Sequence, residues 1–246
     1  MAERHSLDRL NALCEDIKVV YPPGAEIVIC SDGYVFSDLV RIPDEDVALY
    51  TSEIINYYNT YYPEKFDFFD ITDAFPEIKC LDSTREELMV EYGESLISLT
   101  RKSQSDRDTQ SMYRGITKFM YEDFVGLSDF TGMSNTQIQK AAKRTALRVI
   151  QRSNAWGVLL EKRFPDALRL SIHPQFRVSP KIGIKLSECT DCWRTPWHSV
   201  AILDNEKVYL EKRSQIDENA YRLIFNQGAP CHYKKEASPE RKNQYV

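Results

Sequence analysis

Hydrophobic residues recur at the spacing of a helical turn in two segments of the N-terminal half. Residues 7–20 and 44–60 each place apolar side chains three or four positions apart, which predicts amphipathic helices. Capping-box sequences at residues 84–87 and 134–137 predict two further helix starts, because a Thr or Ser is followed three residues later by Glu or Gln. The last of these helices is expected to run to about Arg152.

Runs of β-branched and aromatic residues predict strands between and after these helices. Residues 26–30 and 66–71 are the two runs in the first half, and Ser31-Asp32-Gly33 forms a turn after the first. That turn either closes a hairpin onto residues 34–36 or ends a parallel strand whose carboxyl edge presents Asp32 to a crevice. In the second half, strands are predicted at residues 168–172, 181–185, 199–202 and 208–210.

Helices and strands are mixed along the whole length without internal repeats, which predicts an α/β or α+β domain, and we expect α/β. We expect a single domain over residues 1–246, with a mixed or mostly parallel sheet flanked by helices in a Rossmann-like arrangement. The most polar segment, residues 101–111, is predicted to be a mobile loop or a lid. Residues 236–246 are predicted to be a flexible tail.

Composition narrows the function classes. The chain carries 32 Lys and Arg against 37 Asp and Glu, for a formal net charge of −5. It lacks the basic excess from which nucleic-acid binders draw most of their affinity, so we expect no nucleic-acid partner. No segment approaches the roughly 20 apolar residues that span a bilayer, so we expect no membrane partner and a cytoplasmic location. The glycine-rich phosphate loops and the G-x-S-x-G elbow are also missing from the sequence.

Two lysines are predicted to share one face of a strand. In Lys181-Ile-Gly-Ile-Lys185 the two-residue period puts both ammonium groups on one side, with Gly183 between them, and Ile182 and Ile184 on the other. The lysine face suits an anion such as a phosphate or a carboxylate. The alternative is an edge strand whose lysines prevent aggregation.

A second polar strand face precedes it. In Arg169-Leu-Ser-Ile-His-Pro174 the alternation puts Arg169, Ser171 and His173 on one side, and Leu170 and Ile172 are expected to pack inward. A histidine beside a guanidinium at a strand end is suited to general acid or base catalysis near neutral pH. The alternative is a structural histidine.

His198 is the other histidine with candidate chemistry. It follows Pro196-Trp197, a rigid and bulky pair that would fix the direction of the ring. The same histidine belongs to a competing constellation, because Cys189, Cys192 and Cys231 supply the ligand types of a structural zinc site. A single C-x-x-C without a second spaced pair is weak support for such a site, and no metal is expected.

Four basic residues lie at four-residue intervals on the helix that begins near residue 134. Lys140, Arg144, Arg148 and Arg152 therefore form one stripe along its surface. Such a stripe is usually a solvated helix face. The functional alternative is attraction of an anionic substrate.

Taken in order, these motifs resemble the pyoverdine/dityrosine biosynthesis family, the isocyanide synthases. The resemblance runs from about residue 20 to residue 235 and combines several blocks: Ser31-Asp-Gly-Tyr-Val-Phe-Ser-Asp38, which is similar to the family's D-G-x-x-F-x-D segment, Tyr113-Arg-Gly115 with Asp123, Arg169-Leu-Ser-Ile-His-Pro174, Lys181-Ile-Gly-Ile-Lys185 and Thr195-Pro-Trp-His198.

The resemblance implies an α/β enzyme without a metal or other cofactor. Its expected reaction converts the amino group of an amino acid into an isonitrile, with ribulose 5-phosphate donating the single carbon. Relatives of the dityrosine type imply a formylated amino acid as the alternative product. A separate iron/2-oxoglutarate oxygenase is the expected partner for any later oxidation.

The site residues follow from the residue chemistry and the resemblance together. The predicted catalytic residues are His173, His198, Lys181, Lys185 and Asp32. The predicted substrate-binding and phosphate-binding residues are Arg169, Arg114, Ser171, Lys185 and Arg148. Histidines and the aspartate would move protons, while cations hold the phosphate and the carboxylate. A transient Schiff base between a lysine and the sugar ketone is the alternative role for Lys181 or Lys185.

Overall fold

Eight α-helices and eight β-strands make up the part of the chain that the computed structural model describes, residues 2–173, 175, 179–186, 199–226 and 229–236. The helices are α1 (Ala2–Val20), α2 (Gly33–Val40), α3 (Asp44–Tyr61), α4 (Ile71–Ala74), α5 (Leu81–Tyr92), α6 (Leu96–Ser105), α7 (Arg107–Val125) and α8 (Asn135–Arg163). The strands are β1 (Ile27–Cys30), β2 (Phe66–Phe69), β3 (Leu170–Ser171), β4 (Ile182–Gly183), β5 (Val200–Asp204), β6 (Lys207–Glu211), β7 (Tyr221–Asn226) and β8 (Ala229–Lys235).

The chain divides into two compact units. The helical unit comprises Val28–Ile55 and Asp67–Asp166, and the strand-rich unit comprises Met1–Ile27, Asn56–Phe66 and Ala167–Val246. The chain passes from one unit to the other four times, within β1, α3 and β2 and between α8 and β3.

Helix α8 organises the helical unit. Its buried residues follow the four-residue spacing of one helix face: Ile138, Ala142, Ala146 and Ile150. Two apolar clusters pack against this helix. Near its C-terminal end Trp156 stacks on Phe69, with ring centroids 5.8 Å apart. Near its N-terminal end a second cluster joins α7 to α8 through Phe124 and its neighbours. Burying each large apolar side chain contributes about 1.5–3 kcal/mol.

A four-stranded sheet of order β6-β5-β8-β7 forms most of the strand-rich unit. Strand β5 runs antiparallel to β6 and parallel to β8, so the sheet is mixed. Asn205 and Glu206 at the β5–β6 turn have φ of 48° and 67°, the left-handed pair that a tight hairpin requires. Helix α1 packs on this sheet through Ala2, beside Ala201 and Leu210.

The periodicity predictions for the longer elements are confirmed. The predicted helices at 7–20 and 44–60 correspond to α1 and α3, and the capping box at Ser134 opens α8, with the Ser134 backbone N–H 2.9 Å from Oε1 of Gln137. The strands predicted in both halves are present, but β2, β3 and β4 are shorter than predicted, and Ile71 begins α4. The fold is mixed α and β, as predicted. A Rossmann-like arrangement is not confirmed, since the described strands form three small sheets.

Two local predictions are wrong, and one of the two alternatives for the turn after β1 is excluded. The polar segment 101–111 is not a loop, because it forms the end of α6 and the start of α7, and Asp106 between them caps α7 by accepting a hydrogen bond from the Thr109 backbone N–H at 2.8 Å. The alternative, a lid, stays a prediction. The helix near residue 84 begins at Leu81, so Thr84 lies inside it, where its hydroxyl donates to the Cys80 carbonyl at 3.0 Å. Residues 34–36 belong to α2 and form no hairpin strand. The tail predicted at 236–246 lies outside the described residues except for Glu236.

Candidate active site

The predicted polar strand faces are brought together by a parallel pair of strands. In the strand-rich unit β3 pairs with β4, with Leu170 opposite Ile182 and Ser171 opposite Gly183. Backbone hydrogen bonds of 2.8 Å extend this register, from Ile182 N to the Arg169 carbonyl and from Ile184 N to the Ser171 carbonyl.

Paired residues of neighbouring strands have their Cβ atoms about 5 Å apart on the same face. The register therefore places Arg169 beside Lys181, and Ser171 beside Gly183, as the alternation predicted. His173 and Lys185 follow two residues further along each chain. The register therefore supports a shared face for Arg169, Ser171 and Lys181, while His173 and Lys185 lie just beyond the ends of the two strands. We call these five predicted site residues the β3–β4 platform: Arg169, Ser171, His173, Lys181 and Lys185.

The expectation that the other face packs inward is wrong for two of its residues. Leu170 is 38% exposed and Ile182 is 52% exposed, while Arg169, Ser171 and Lys181 are half-buried. Among the described residues no further strand extends this pair, and two strands of two residues cannot impose the one-sided burial of a larger sheet. Arg169, Ser171 and Lys181 are therefore more enclosed than Leu170 and Ile182, whereas His173 and Lys185 are exposed.

A chain of hydrogen bonds fixes the segment after β3. The Ser171 hydroxyl oxygen accepts from the His173 backbone N–H at 3.2 Å and from Nε2 of Gln175 at 2.9 Å. Gln175 also donates to the His173 carbonyl at 3.2 Å, and its Oε1 accepts from the Ser179 hydroxyl at 2.8 Å. Ser179 in turn accepts from the Lys181 backbone N–H at 3.1 Å.

This network ties the histidine to the lysine strand. Ser171 holds the backbone of His173 in place, which makes it a positioning residue first, with its hydroxyl proton left as a donor. Sequence reasoning missed Gln175 and Ser179. The sequence feature that could have indicated them is a neighbouring proline, which is typical of turns: Gln175 follows Pro174, and Ser179 precedes Pro180.

Asp32 lies in the helical unit at the edge of the parallel pair β1–β2. Backbone bonds from Ile27 N to the Lys65 carbonyl and from Ser31 N to the Phe69 carbonyl join residues of equal separation along the chain, which is the parallel pattern. Asp32 is exposed directly after β1 and is the N-cap of α2, where a carboxylate is favoured by the helix dipole. Of the two alternatives for the turn, the parallel strand end is the one observed.

A buried arginine supports the helix that follows Asp32. Arg85 of α5 is 3% exposed and donates from Nε to the Tyr34 carbonyl at 2.8 Å and from Nη2 to the Ser37 hydroxyl at 2.8 Å. Nη2 also lies 2.5 Å from Oδ1 of Asp44. These acceptors come from α2 and α3, so one guanidinium joins three helices. No sequence signal pointed to Arg85, because its partners are distant along the chain.

The basic stripe on α8 is not uniform. Arg152 is half-buried and forms a two-pronged ion pair with Asp38, with Nη2 2.9 Å from Oδ2, so its role is structural. Lys140, Arg144 and Arg148 are exposed. Arg114, the remaining predicted binding residue, is exposed on α7.

His198 lies outside the described residues, as do Cys189 and Cys192, so the zinc alternative stays a prediction. Within the described ranges, no three His, Cys, Asp or Glu side chains are grouped so as to hold a metal ion. Over the same ranges, none of the helices combines the length and apolar character needed to cross a membrane.

The β3–β4 platform has the chemistry of an anion site with a proton carrier. Two ammonium groups and a guanidinium provide charge-assisted donors for phosphate or carboxylate oxygens. The imidazole of His173 is exposed and can exchange protons with a bound molecule. Gly183 has no side chain, which leaves room over the centre of the strand pair.

Comparison with known proteins gives consistent matches over nearly the whole chain. Residues 1–224 match a family model described as "Pyoverdine/dityrosine biosynthesis protein". An L-tyrosine isonitrile synthase from Xenorhabdus nematophila is 39% identical over 99% of this chain and 73% of its own length. An L-tyrosine isonitrile synthase from Pseudomonas aeruginosa is 41% identical over 98% of this chain and 74% of its own length.

A tryptophan enzyme and a solved structure match as well. An L-tryptophan isonitrile synthase from Fischerella ambigua is 36% identical over 97% of this chain and 72% of its own length. The crystal structure of the PvcA protein from Pseudomonas aeruginosa superposes with a TM-score of 0.84 at 41% identity, covering 95% of this chain and 76% of that one.

Proposed function

The chain belongs to the pyoverdine/dityrosine biosynthesis protein family, and from that membership we propose that it is an isocyanide synthase of secondary metabolism. Its substrate is an L-amino acid, whose α-amino group becomes an isonitrile. Tyrosine is the first substrate to test and tryptophan the second, because relatives that are 36–41% identical carry those names. Ribulose 5-phosphate is the proposed one-carbon donor, and neither a metal nor another cofactor takes part.

The β3–β4 platform is the observation on which the proposed site rests. Its in-register pairing places Arg169 beside Lys181, and Ser171 beside Gly183. Two cations on adjacent strands suit a phosphate or a carboxylate. A sugar phosphate carries the first of these groups and an amino acid carries the second. Arg169, Lys181 and Lys185 are the proposed holders of these anions in this unit.

The first chemical step requires two proton transfers at fixed positions. The amine must lose a proton to attack the ketone, and the carbonyl oxygen must gain protons to leave as water when the imine forms. His173 is the proposed carrier, because an imidazole accepts and donates near neutral pH. Ser171 and Gln175 hold its backbone, so that the ring moves little between the two transfers.

Three predicted residues of the helical unit complete the proposal. Asp32 is a proposed proton acceptor, since its carboxylate is exposed at the carboxyl edge of β1. Arg114 and Arg148 are proposed to attract the anionic substrates to the enzyme. His198, Lys181 and Lys185 keep their predicted roles, with the Schiff base as the alternative role for either lysine. A separate iron/2-oxoglutarate oxygenase remains the proposed partner for later oxidation.

The test is product formation from ribulose 5-phosphate and single amino acids. The full chain is incubated with the sugar phosphate and with tyrosine, tryptophan, valine or leucine in turn. An isonitrile is trapped with a tetrazine, and the products without tetrazine are identified by mass as well. An isonitrile supports the proposal. A formamide, heavier by one water, would instead identify the dityrosine-type reaction, and no product with any amino acid would reject both.

Matched variants test the site. We expect His173→Gln and Lys181→Gln to lower the rate of isonitrile formation about 100-fold or more, as for loss of a positioned acid–base group. Lys207→Gln is the control, because Lys207 is an exposed lysine of β6 in the same unit. Equal activity in Lys181→Gln and Lys207→Gln would remove the β3–β4 platform from the mechanism.

A further inference from the structure

A cavity of about 420 Å³ lies in the strand-rich unit, beside the C-terminal half of α1. One side is formed by Cys14 and Lys18 of α1, and the other sides by residues 23–26 and residues 63–65. We call it the α1 cavity. Its volume is within the range of small-molecule sites. Most of the surface that the cavity presents is polar, so a polar ligand suits it.

Direct contacts join the sides of the α1 cavity to one another. The Lys65 ammonium forms an ion pair of 2.7 Å with Glu15 of α1. The Ile27 backbone N–H donates to the Lys65 carbonyl at 3.3 Å, which joins the end of the 23–26 segment to the turn before β2. On the α1 side, the Cys14 side chain is buried. The three segments are therefore held near one another without a ligand.

Lys18 brings a positive charge to the α1 cavity. A Cβ added at Gly24 would lie 4.0 Å from Cγ of Lys18, so the stem of this lysine runs beside the 23–26 segment. Among the residues that the structure describes, no carboxylate lies within 4.0 Å of the Lys18 ammonium group. The charge of Lys18 is therefore available to a carboxylate of a ligand.

Two carboxylates lie on the other sides of the cavity. Glu26 and Glu64 both line it, and within the described ranges neither has a cationic partner within 4.0 Å. Lys65, the remaining lining cation, is already paired with Glu15, and the pKa of the Glu15 carboxyl is lowered mainly by that hydrogen bond. The uncompensated charges of the cavity are therefore one positive and two negative.

The backbone of Glu64 has a conformation that favours glycine. Its φ is 64°, and the Lys65 backbone N–H donates to the Tyr62 carbonyl at 3.3 Å across a turn with Pro63 in its second position. This is the pattern of a type II turn, whose third position is usually glycine. A glutamate there costs stability, and strained residues of this kind concentrate at ligand sites. The position therefore indicates a use for the Glu64 carboxylate.

We propose that the α1 cavity binds a free amino acid with a basic side chain, such as arginine. The ligand's carboxylate pairs with Lys18, and its α-ammonium group and side-chain cation pair with Glu26 and Glu64. A neutral amino acid leaves one glutamate unpaired, a simple amine leaves the lysine unpaired, and both glutamates repel a phosphate. Because these side chains are exposed to water, we expect a weak site with a Kd of about 1 mM.

Three related ligands test the charge match one group at a time. NMR titration of the full chain, with the Gly24 backbone amide as the reporter, measures the Kd of L-arginine, of agmatine, which lacks the carboxylate, and of L-citrulline, whose side chain is neutral. We expect arginine to bind about 3-fold or more tightly than either of the others. Equal binding of all three would overturn the proposal, as would a Gly24 resonance that arginine does not shift at about 10 mM.

Single variants assign each charge to its partner. Lys18→Gln should weaken arginine binding about 3-fold or more without weakening agmatine binding, because agmatine has no carboxylate. Glu26→Gln and Glu64→Gln should each weaken the binding of both ligands. Glu206→Gln is the matched control, because Glu206 is an exposed glutamate outside the cavity with a similar φ of 67°, and we expect a change below about 1.5-fold. Equal weakening by Glu206→Gln and Glu64→Gln would show a diffuse charge effect and overturn the proposal.

Glu64→Gly separates the cost of this residue from its use. Glycine adopts the left-handed turn position freely, so the thermal midpoint of the free protein should rise while arginine binding weakens. A raised midpoint with an unchanged Kd would overturn the charge match. The inference is independent of the proposed function, so Lys181→Gln should leave arginine binding unchanged. Arginine binding lost in Lys181→Gln would place the ligand at the β3–β4 platform, and isonitrile formation without arginine binding would refute only the α1 cavity.

Discussion

Replacing Arg85 with methionine tests the polar cluster that holds α2 in place. The guanidinium donates to the Tyr34 carbonyl, to the Ser37 hydroxyl and to the carboxylates of Asp44 and Asp82, at distances of 2.5–2.8 Å. Methionine keeps most of the apolar stem and fits a buried position. Arg85→Met therefore removes the donors with little change in packing volume.

The contacts of Arg85 contribute unequally to the free energy of unfolding. Asp82 is 81% exposed, so its ion pair contributes little, about 0–1 kcal/mol. The bond to Asp44 is charge-assisted, and its side chain is about one-third exposed, so we assign it about 1–2 kcal/mol, below the 3–5 kcal/mol of a fully buried pair. The bonds to the Tyr34 carbonyl and the Ser37 hydroxyl add about 1 kcal/mol together, at the low end of the net value of an ordinary hydrogen bond. The sum is a loss of about 3 kcal/mol.

Urea unfolding followed by far-ultraviolet circular dichroism measures this loss. With a slope of about 2 kcal/mol per molar urea, the midpoint should fall by about 1.5 M. Arg101→Met is the control, an exposed arginine of α6 for which we expect a change within about 0.5 kcal/mol. In the double variant Arg85→Met with Asp44→Asn, the loss of stability should differ from the sum of the two single losses by about 1 kcal/mol or more.

The reasoning fails if Arg85→Met costs no more than Arg101→Met. It fails equally if Arg85→Met stabilises the protein, as occurs when a buried ion pair is replaced by apolar packing with no net penalty. Additive losses for Arg85→Met and Asp44→Asn would show that the bond between these two residues carries little of the free energy.

Other predictions follow from single contacts. Gly33→Ala should destabilise the protein by about 1–3 kcal/mol, because a Cβ there would lie 2.8 Å from Cγ1 of Val47. Gly115→Ala should stabilise it by about 0.5–1 kcal/mol, because a Cβ at that helical position meets nothing within 4 Å. Urea midpoints that shift in the same direction in both variants would contradict this pair of predictions. Burial lowers the pKa of His232, so the unfolded state binds the extra proton first as the pH falls through about 6.5. The wild type should therefore lose more stability than His232→Gln between about pH 7.5 and about pH 5.5. Stability curves that fall equally with pH in the two proteins would refute the lowered pKa. Gln175→Leu should slow isonitrile formation about 10- to 100-fold while changing the urea midpoint little, because it releases the backbone of His173; an unchanged rate would show that this network does not position the histidine.

Sequence periodicity was sufficient for the elements whose apolar face is long. Helix α8 repeats buried residues from Ile138 to Leu159, and its capping box fixes the start. Helix α6 was missed because its buried face is narrow, consisting of Leu99 and Ser103 one turn apart within a polar segment. The decisive signals there are the N-caps Ser95 and Asp106, which accept backbone N–H groups and so stabilise helix starts without any apolar pattern.

For the candidate site too, the sequence predicted which side chains share a face but not which of them are buried. Alternation along two strands correctly grouped Arg169 with Ser171, because side-chain direction in a strand depends only on its period. It gave the wrong exposure for Leu170 and Ile182, because burial depends on what covers a strand pair and not on the pair itself. Partners such as Arg85 were out of reach for the same reason, since contacts between distant segments leave no local pattern.

The motif Ser31-Asp-Gly-Tyr-Val-Phe-Ser-Asp38 divides into two parts when its contacts are followed. Arg85 holds the Tyr34 carbonyl and the Ser37 hydroxyl, while Asp38 is held by Arg152 in a two-pronged ion pair. Tyr34, Ser37 and Asp38 therefore fix α2 in place. Asp32 stands at the other end of the helix, exposed at the carboxyl edge of β1, where a carboxylate can meet a ligand. One short motif thus combines an exposed carboxylate, the proposed proton acceptor, with the residues that anchor the helix behind it. Only the structure separates the two parts, because both contain the same residue types.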